Sequence, residues 1–115
     1  MDAATAPQRL VTFTATIAIS TQLSDAIDLG ASSLNAIQMP AAFTGTTMTF
    51  EGSFDGTTYA AVYDGAGVQV TATVAASRFI VLTPGDFSGV RYLKIKSGSS
   101  ETAARSVTLL ARVLS

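Results

Sequence analysis

The sequence contains no cysteine and no histidine. Without cysteine, the chain cannot form a disulfide framework, a thiol nucleophile or a thiolate metal site. Without histidine, it lacks the most common general base and one of the most common metal ligands in proteins. Any catalysis or metal binding would therefore have to depend on carboxylates, hydroxyls and backbone oxygens.

Charge is also scarce: charged residues make up 13% of the chain, against roughly 25% in an average globular protein. Seven basic and eight acidic residues give a net charge of −1, so we predict neither a nucleic-acid nor a membrane partner. A surface with so little charge is poorly protected against association. The composition therefore favours a protein that works inside an assembly, as a homo-oligomer or in many copies, over an inert monomer.

Long apolar runs are absent as well. The longest strongly apolar run, FIVL at 79–82, is far shorter than the roughly 20 residues that span a bilayer. The N-terminal sequence MDAATAPQRL lacks the basic start and apolar stretch of a secretory signal. We therefore expect the chain to fold in a cytoplasm, and its 115 residues to form one domain.

Most of the chain alternates between apolar and polar residues with a period of two. In VTFTATIAIS at 11–20, the odd positions are apolar and the even positions are mostly threonine, which is the pattern of a half-buried strand. The pattern returns at 46–54, 67–74, 78–82, 90–97 and 106–114. Residues 23–29 and 84–87 have room for a single helical turn each. This pattern predicts an all-β fold: a single antiparallel β-sandwich or jelly roll of about eight strands over residues 9–115.

Residues 1–8, MDAATAPQ, are small and polar and end next to a proline. Such a segment is either a frayed tail or an arm that lies on a neighbouring molecule. A segment of this composition seldom becomes ordered without a surface beneath it. We predict an extended N-terminal arm.

Two Asp-Gly pairs, Asp55-Gly56 and Asp64-Gly65, separate alternating segments. Asp-Gly is a strong hairpin signal, because both residues tolerate the positive φ that a tight hairpin turn requires. A Ca²⁺ site would need about six to eight oxygen ligands, and neither pair has the alternating acids of a calcium loop. Glu51 and the two aspartates could act as the paired acids of a glycosidase, but nothing nearby would raise the pKa of one of them. We predict that the four Asp-Gly residues are structural turns, and we assign no catalytic, cofactor or metal residue and no enzyme activity.

A local concentration of positive charge lies in the C-terminal half, at Arg78, Arg91, Lys94 and Lys96. Lysines on one strand face can be a solvated surface that deters edge-to-edge aggregation, or they can face an acidic partner. Tyrosines can either pack against neighbours or stack on a sugar. The candidate contacts for a partner protein or a glycan are Tyr59, Arg91, Tyr92, Lys94 and Lys96.

Residues 34–98 resemble a family of small β-proteins encoded among the structural genes of tailed bacteriophages. The matching motifs are a Met-Pro-Ala-Ala segment, a Thr-aromatic-polar-Gly-Ser strand, an Asp-Gly-Thr-Thr-aromatic turn, a Tyr-Asp turn and a strand similar to Leu-Arg-Tyr-Leu-Arg. They lie at 39–42, 49–53, 55–59, 63–64 and 90–96. The resemblance implies a non-enzymatic virion structural protein, made in the host bacterial cytoplasm, whose partners are other virion proteins.

Within that class we expect a capsid decoration or cement protein that binds the major capsid protein, because a small, neutral sandwich with an arm suits the junctions between capsomers. One alternative is a tail, connector or fibre component. A looser resemblance, of 53–59 and 91–92 to galactose-binding-like jelly rolls of the discoidin kind, implies another: a carbohydrate-binding module for host-surface glycan. In both families the Asp-Gly segment is a hairpin, and no catalytic residues transfer to this chain.

Overall fold

A computed structural model describes residues 9–113 as two antiparallel β-sheets packed face to face. This confirms the predicted all-β sandwich; the predicted arm at 1–8 lies outside the described residues. The strands are β1 (Arg9–Ile17), β2 (Ile27–Asp28), β3 (Ser32–Gln38), β4 (Thr47–Ser53), β5 (Ala60–Ala61), β6 (Thr71–Thr73), β7 (Phe79–Val81), β8 (Tyr92–Ser97) and β9 (Arg105–Val113).

A 3-10 turn at Pro84–Phe87 confirms the helical turn expected there. The turn expected at 23–29 is wrong, because this segment is extended and contains β2.

The two sheets differ in their edges. The four-stranded sheet has the order β1-β9-β3-β7, and the five-stranded sheet has the order β2-β8-β4-β5, with β6 also paired to β4. β5 and β6 pair with successive parts of β4, so they are two halves of one edge. Between them the chain makes a hairpin excursion that the Tyr63 and Gln69 bridge closes. This hairpin replaces the first half of the strand predicted at 67–74.

The core consists of the inward side chains of both sheets. Met48 and Phe50 from β4 and Leu93 and Ile95 from β8 are fully buried, as their alternation predicts. The Phe87 ring, which the 3-10 turn brings in, meets the Phe50 ring edge to face, with 4.9 Å between ring centroids and 79° between ring planes. An aromatic pair of this geometry contributes beyond its buried area, so the turn closes the sandwich as well as linking β7 to β8.

β3 is the longest strand that the sequence pattern does not predict; the two-residue strands β2 and β5 are the others. β3 lies inside the four-stranded sheet between β9 and β7. Its register with β9 shifts between Leu34 and Ala36, as in a β-bulge. Leu34 and Ile37 therefore both face the core, although they are three residues apart. The bulge breaks the period of two, and with it the signal on which the prediction relied.

One residue with a buried carboxylate joins three connections between the sheets. Glu101, in the β8–β9 connection, has a side chain with 0% exposure. Its carboxylate accepts hydrogen bonds from the Thr44 amide at 2.9 Å, the Thr44 hydroxyl at 2.8 Å and the Gly45 amide at 3.0 Å, all in the β3–β4 connection. Arg105 Nε donates to it at 2.9 Å. The Glu101 carbonyl accepts from the Ser20 amide, in the β1–β2 connection, at 3.0 Å.

These contacts decide the charge state of Glu101. Burial by itself raises the pKa of this carboxyl, but the hydrogen bonds from Thr44, Arg105 and Gly45 outweigh burial and hold the pKa below its ordinary value. The folded protein therefore contains a buried charge whose donors come from the β3–β4 connection and from the first residue of β9. Removing one side of such an arrangement leaves the other side buried without a partner.

We expect Glu101→Gln to lower the free energy of unfolding by about 3 kcal/mol at neutral pH, measured by urea denaturation. An amide cannot form an ion pair with Arg105, and whichever way it is turned its NH₂ group would face a backbone N–H that is a donor itself. The matched control is Glu51→Gln, at a half-exposed strand position, which should change stability by no more than about 0.5 kcal/mol. Equal stability of Glu101→Gln and the wild type would contradict the role assigned to Glu101.

The same pair of proteins gives a pH test. Because the pKa of Glu101 is lower in the folded than in the unfolded state, the stability that its charge provides is complete above about pH 4.3, the ordinary pKa of glutamate. That stability is lost as the pH falls through the lower folded-state pKa. The difference in free energy of unfolding between the wild type and Glu101→Gln should therefore become smaller in acid. A difference that stays constant down to about pH 2 would be inconsistent with this linkage.

Candidate functional site

Four of the five predicted contact residues lie in one polar cluster on the outer face of the five-stranded sheet. Lys94 Nζ lies 4.4 Å from the ring centroid of Tyr59, and the Arg91 guanidinium carbon lies 4.8 Å from that of Tyr92. Arg91 also donates two hydrogen bonds to the Asp28 carboxylate, at 3.1 and 3.3 Å. Each cation of this polar cluster thus already has a partner within it.

Contacts within the polar cluster shift the pKa of Asp28 and of Tyr59 in opposite directions. The Arg91 hydrogen bond, and after it the Gly30 amide, lower the pKa of Asp28. Burial, and then the nearby Tyr92, Asp55 and Asp28, raise the pKa of Tyr59. The Tyr59 hydroxyl is buried and has no hydrogen-bond partner among the described residues. It is therefore a protonated donor beneath the surface.

The other basic residues stand apart from the polar cluster. Lys96 is exposed further along β8, where it lies opposite Thr49. Arg78 lies in the β6–β7 connection, where its carbonyl accepts a hydrogen bond from the Met39 amide at 2.9 Å. The concentration of positive charge in the sequence is thus divided between separate parts of the surface.

The carboxylate of Asp55 is engaged by its own turn. Its Oδ1 accepts hydrogen bonds from the Thr57 and Thr58 amides at 2.9 Å each and from the Ser53 hydroxyl at 2.8 Å. These bonds, led by the one from Thr58, lower the pKa of Asp55 to about 2. Gly56, the next residue, has a φ of +78°. The Asp55 carboxylate is thus an acceptor that shapes the chain at neutral pH, and too weak a base for proton transfer.

Asp64 has the same role in the second turn. Its Oδ1 accepts from the Ala66 amide at 2.9 Å and the Val68 amide at 3.0 Å. The Asp64 amide donates to the Val68 carbonyl at 2.8 Å, and the Gly67 amide donates to the Asp64 carbonyl at 3.1 Å. Both aspartates therefore organise turns through backbone amides.

The detailed geometry expected for the two pairs is wrong. A tight Asp-Gly hairpin requires positive φ at both residues, but Asp55, Asp64 and Gly65 do not have it. At the second pair the hairpin loop is longer, and the positive φ, +84°, falls on Gly67. The reason is that the aspartate side chains satisfy amides two to four residues ahead, as in Asx-turns, and a two-residue turn has no room for such bonds.

A second surface, which the sequence analysis did not identify, covers the outer face of the four-stranded sheet. The register places Leu110 next to Ala36, and Ala36 next to Val81. Three large side chains there are exposed: Leu10 by 57%, Phe79 by 55% and Val81 by 76%. With Pro84 at its border, the surface forms a groove of about 250 Å³. We call this surface the apolar face, and it consists of Leu10, Ala36, Phe79, Val81, Pro84 and Leu110.

The sequence contains only a weak signal for the apolar face. Residues 79–82 are apolar at every position, so alternation cannot show which side chains point inward. In the structure, Ile80 packs against the core, whereas Phe79 and Val81 point outward. A strand that is apolar on both faces is expected between two packed layers, and here no layer covers the outer side among the described residues.

Two further observations concern residues 9–113. This part of the chain contains no group of three or more acidic side chains placed to hold a metal ion. None of its helices is long and apolar enough to cross a membrane.

Comparisons of the chain with protein-family models, with curated proteins and with solved structures find no match. The resemblance to a phage family therefore stays a prediction.

We expect Gly56→Ala to lower the free energy of unfolding by about 1 kcal/mol or more, measured by chemical denaturation. Gly56 has a positive φ, and an added Cβ would lie 3.4 Å from the Tyr92 ring. The matched control is Gly65→Ala in the other pair, where φ is not positive and a Cβ would meet nothing within 4 Å. Equal effects of the two substitutions would show that the conformation of Gly56 does not limit stability.

Proposed function

We propose that this chain is a non-enzymatic structural protein of a tailed-phage virion, and specifically a capsid decoration protein that stabilises the shell through protein-protein contacts. The observation that supports this proposal is the apolar face. Leu10, Phe79 and Val81 are each more than half exposed on one side of the sandwich. Contiguous exposed apolar surface of this kind marks protein interaction sites.

The apolar face is suited to an apolar surface of a protein partner. Among the described residues that line its groove, Arg112 alone is charged. Burial of apolar area contributes about 25 cal/mol per Å², and few charges would have to be desolvated. Thr12 and Thr14 lie on the same side of the sheet, where their hydroxyls would form a polar rim. Many copies on one shell would gain from avidity even if each contact were weak.

The predicted arm fits the same contact. Residues 1–8 join the described part of the chain at Arg9, one residue before Leu10 of the apolar face. An arm that leaves the domain at this point would extend the contact onto the same partner, or onto the neighbouring capsid subunit.

The polar cluster offers less to a sugar. Stacking of a sugar requires an open aromatic face, and the rings of Tyr59 and Tyr92 each carry a cation of the same chain on one face. The acids that a hydrolase would use are similarly engaged, since Asp55 and Asp64 bind the amides of their own turns. The polar cluster and the turns are thus consistent with structural roles.

We expect Val81→Lys to weaken binding to the capsid at least about tenfold, a loss of about 1.4 kcal/mol, because it places a charge at the most exposed large side chain of the apolar face. The measurement is cosedimentation of the purified protein with phage particles from which its gene has been deleted, with electron cryomicroscopy to locate the bound copies. The matched control is Val68→Lys, an exposed valine on the hairpin, which should bind like the wild type. Both positions are exposed, so both variants should fold.

Two outcomes would overturn the capsid assignment. Bound copies on the tail, connector or fibres would favour that alternative position. Failure to bind the particle, combined with retention on host-surface glycans, would instead favour a carbohydrate-binding module.

A further inference from the structure

The outer edge of β1 is long and open. β1 pairs with β9 at nine consecutive positions without a bulge, and no described residue pairs with its other edge from Arg9 to Ala15. The other edge strands of the described part, β2, β5, β6 and β7, are two or three residues long. Proteins usually protect long edges with lysine, proline or bulges, and LVTFTAT at 10–16 has none of these.

The hydrogen bonds at the end of β1 show which backbone groups face outward. The Thr16 amide donates to Asp25 Oδ1 at 2.9 Å, and the Thr16 carbonyl accepts from the Asp25 amide at 3.1 Å. The main chain of Thr16 therefore points away from β9. Because the direction alternates along an antiparallel strand, Leu10, Thr12 and Thr14 also present their N–H and C=O groups to the open edge.

Asp25 limits which residues a partner strand can use. It occupies the groups of Thr16, so within the described strand Leu10, Thr12 and Thr14 remain. These three positions are symmetric about Thr12, which is the condition for a strand to pair with a copy of itself. We propose that the chain forms a two-fold dimer by antiparallel pairing of β1 with β1 of a second copy, with Thr12 opposite Thr12.

This register satisfies all the open groups. Thr12 exchanges two hydrogen bonds with Thr12 of the second copy, and Leu10 exchanges two with Thr14 at each side of the two-fold axis, so that the interface has six. Moving the register by two residues in one direction would pair Leu10 with Thr16, whose groups Asp25 already holds, and four bonds would remain. Moving it in the other direction would pair Leu10 with Thr12 and give Thr14 no partner among the described residues, so that four bonds would again remain. Asp25 thereby disfavours one of the two shifted registers as well as closing the end of the edge.

The side chains fit the same register. Val11 lies opposite Phe13 of the second copy, and both are half-buried at the border of the core. A pair of an aromatic and a β-branched residue is among the favourable cross-strand pairs. On the outer side, Thr12 meets its own copy and the exposed Leu10 meets Thr14. The pairing therefore covers apolar surface on both sides of the sheet.

The charges at the two ends are complementary. Arg9 is the one charged residue of β1, and in this register it lies opposite Ala15 of the second copy. The residue after Ala15 in the second copy is Thr16, whose amide donates a hydrogen bond to Asp25 Oδ1. Each Arg9 therefore approaches an Asp25 of the other copy, and the two-fold axis repeats the pair. Opposite charges at both ends favour this partner and this register.

The dimer does not rest on the proposed function, but it has a consequence for it. Pairing at the edge would join the two four-stranded sheets into one sheet of eight strands. A two-fold axis perpendicular to that sheet leaves both apolar faces on the same side. The dimer would then present a doubled apolar face to one partner surface.

The first test is sedimentation velocity of the purified protein over a range of concentrations up to about 1 mM, because a contact this small is expected to be weak. We expect a concentration-dependent dimer, and its loss in Thr12→Pro. The Thr12 N–H faces outward, so proline removes no bond to β9 and is tolerated at such an edge position. The control Thr12→Val retains the N–H and should dimerise. A wild type that stays monomeric, or a Thr12→Pro variant that dimerises equally well, would overturn the proposal.

The second test remains informative if Thr12→Pro fails to fold. Thr12→Lys and Thr12→Glu each place like charges opposite one another across the axis, so each alone should dimerise at least about tenfold more weakly than the wild type. An equimolar mixture of the two should recover the dimer as a heterodimer, measured by native mass spectrometry. Thr73→Lys, an exposed strand threonine of the other sheet, should dimerise like the wild type. A mixture no tighter than its components, or an equal loss in Thr73→Lys, would place the contact elsewhere.

Discussion

The buried carboxylate of Glu101 is the constraint on which the arrangement of the two sheets depends. A sandwich whose chain passes repeatedly from one sheet to the other has to fix its connections, and Glu101 holds three of them through its side chain and its carbonyl. Burial disfavours this charge, but the hydrogen-bond donors around it outweigh burial and keep the carboxyl ionised. Its partners in turn need the charge, because without it the Thr44 and Gly45 amides and the Arg105 guanidinium would be left unpaired. With the connections held in this way, the outer faces of both sheets become fixed surfaces.

Those two outer faces differ in whether their exposed groups already have partners within the chain. On the five-stranded sheet, Arg91 is paired with Asp28 and lies over Tyr92, and Lys94 lies over Tyr59, so a ligand would have to displace contacts that already exist. On the four-stranded sheet, the apolar face and the β1 edge have no such internal partners among residues 9–113. Both gain free energy when they are covered, the face by apolar burial and the edge by main-chain hydrogen bonds. Leu10 belongs to both, so the two contacts are neighbours.

Local pattern predicted part of this structure well and part of it poorly. Alternation correctly places Ala15 and Ile17 of β1 and Leu93 and Ile95 of β8 in the core, because side-chain direction along a regular strand has a period of two. The pattern fails where a local device interrupts the strand. The bulge at Leu34/Ala36 conceals β3. Phe54 continues the apolar side of β4 in the sequence, yet it is 88% exposed, because the hydrogen bonds between Ser53 and Asp55 turn the chain there.

The sequence by itself determined the all-β class, most of the regular strands and the places where the chain turns, because each of these depends on residues within a few positions of one another. The tertiary structure alone decided the burial of Glu101, the outward direction of Phe79 and Val81, and the open edge of β1. Each of these depends on which strands become neighbours: Glu101 is buried because the β3–β4 connection folds over it, and β1 is an edge because only β9 lies beside it among the described strands. Neighbours across a sheet are set by packing between residues far apart in the chain, and a local pattern contains no record of them.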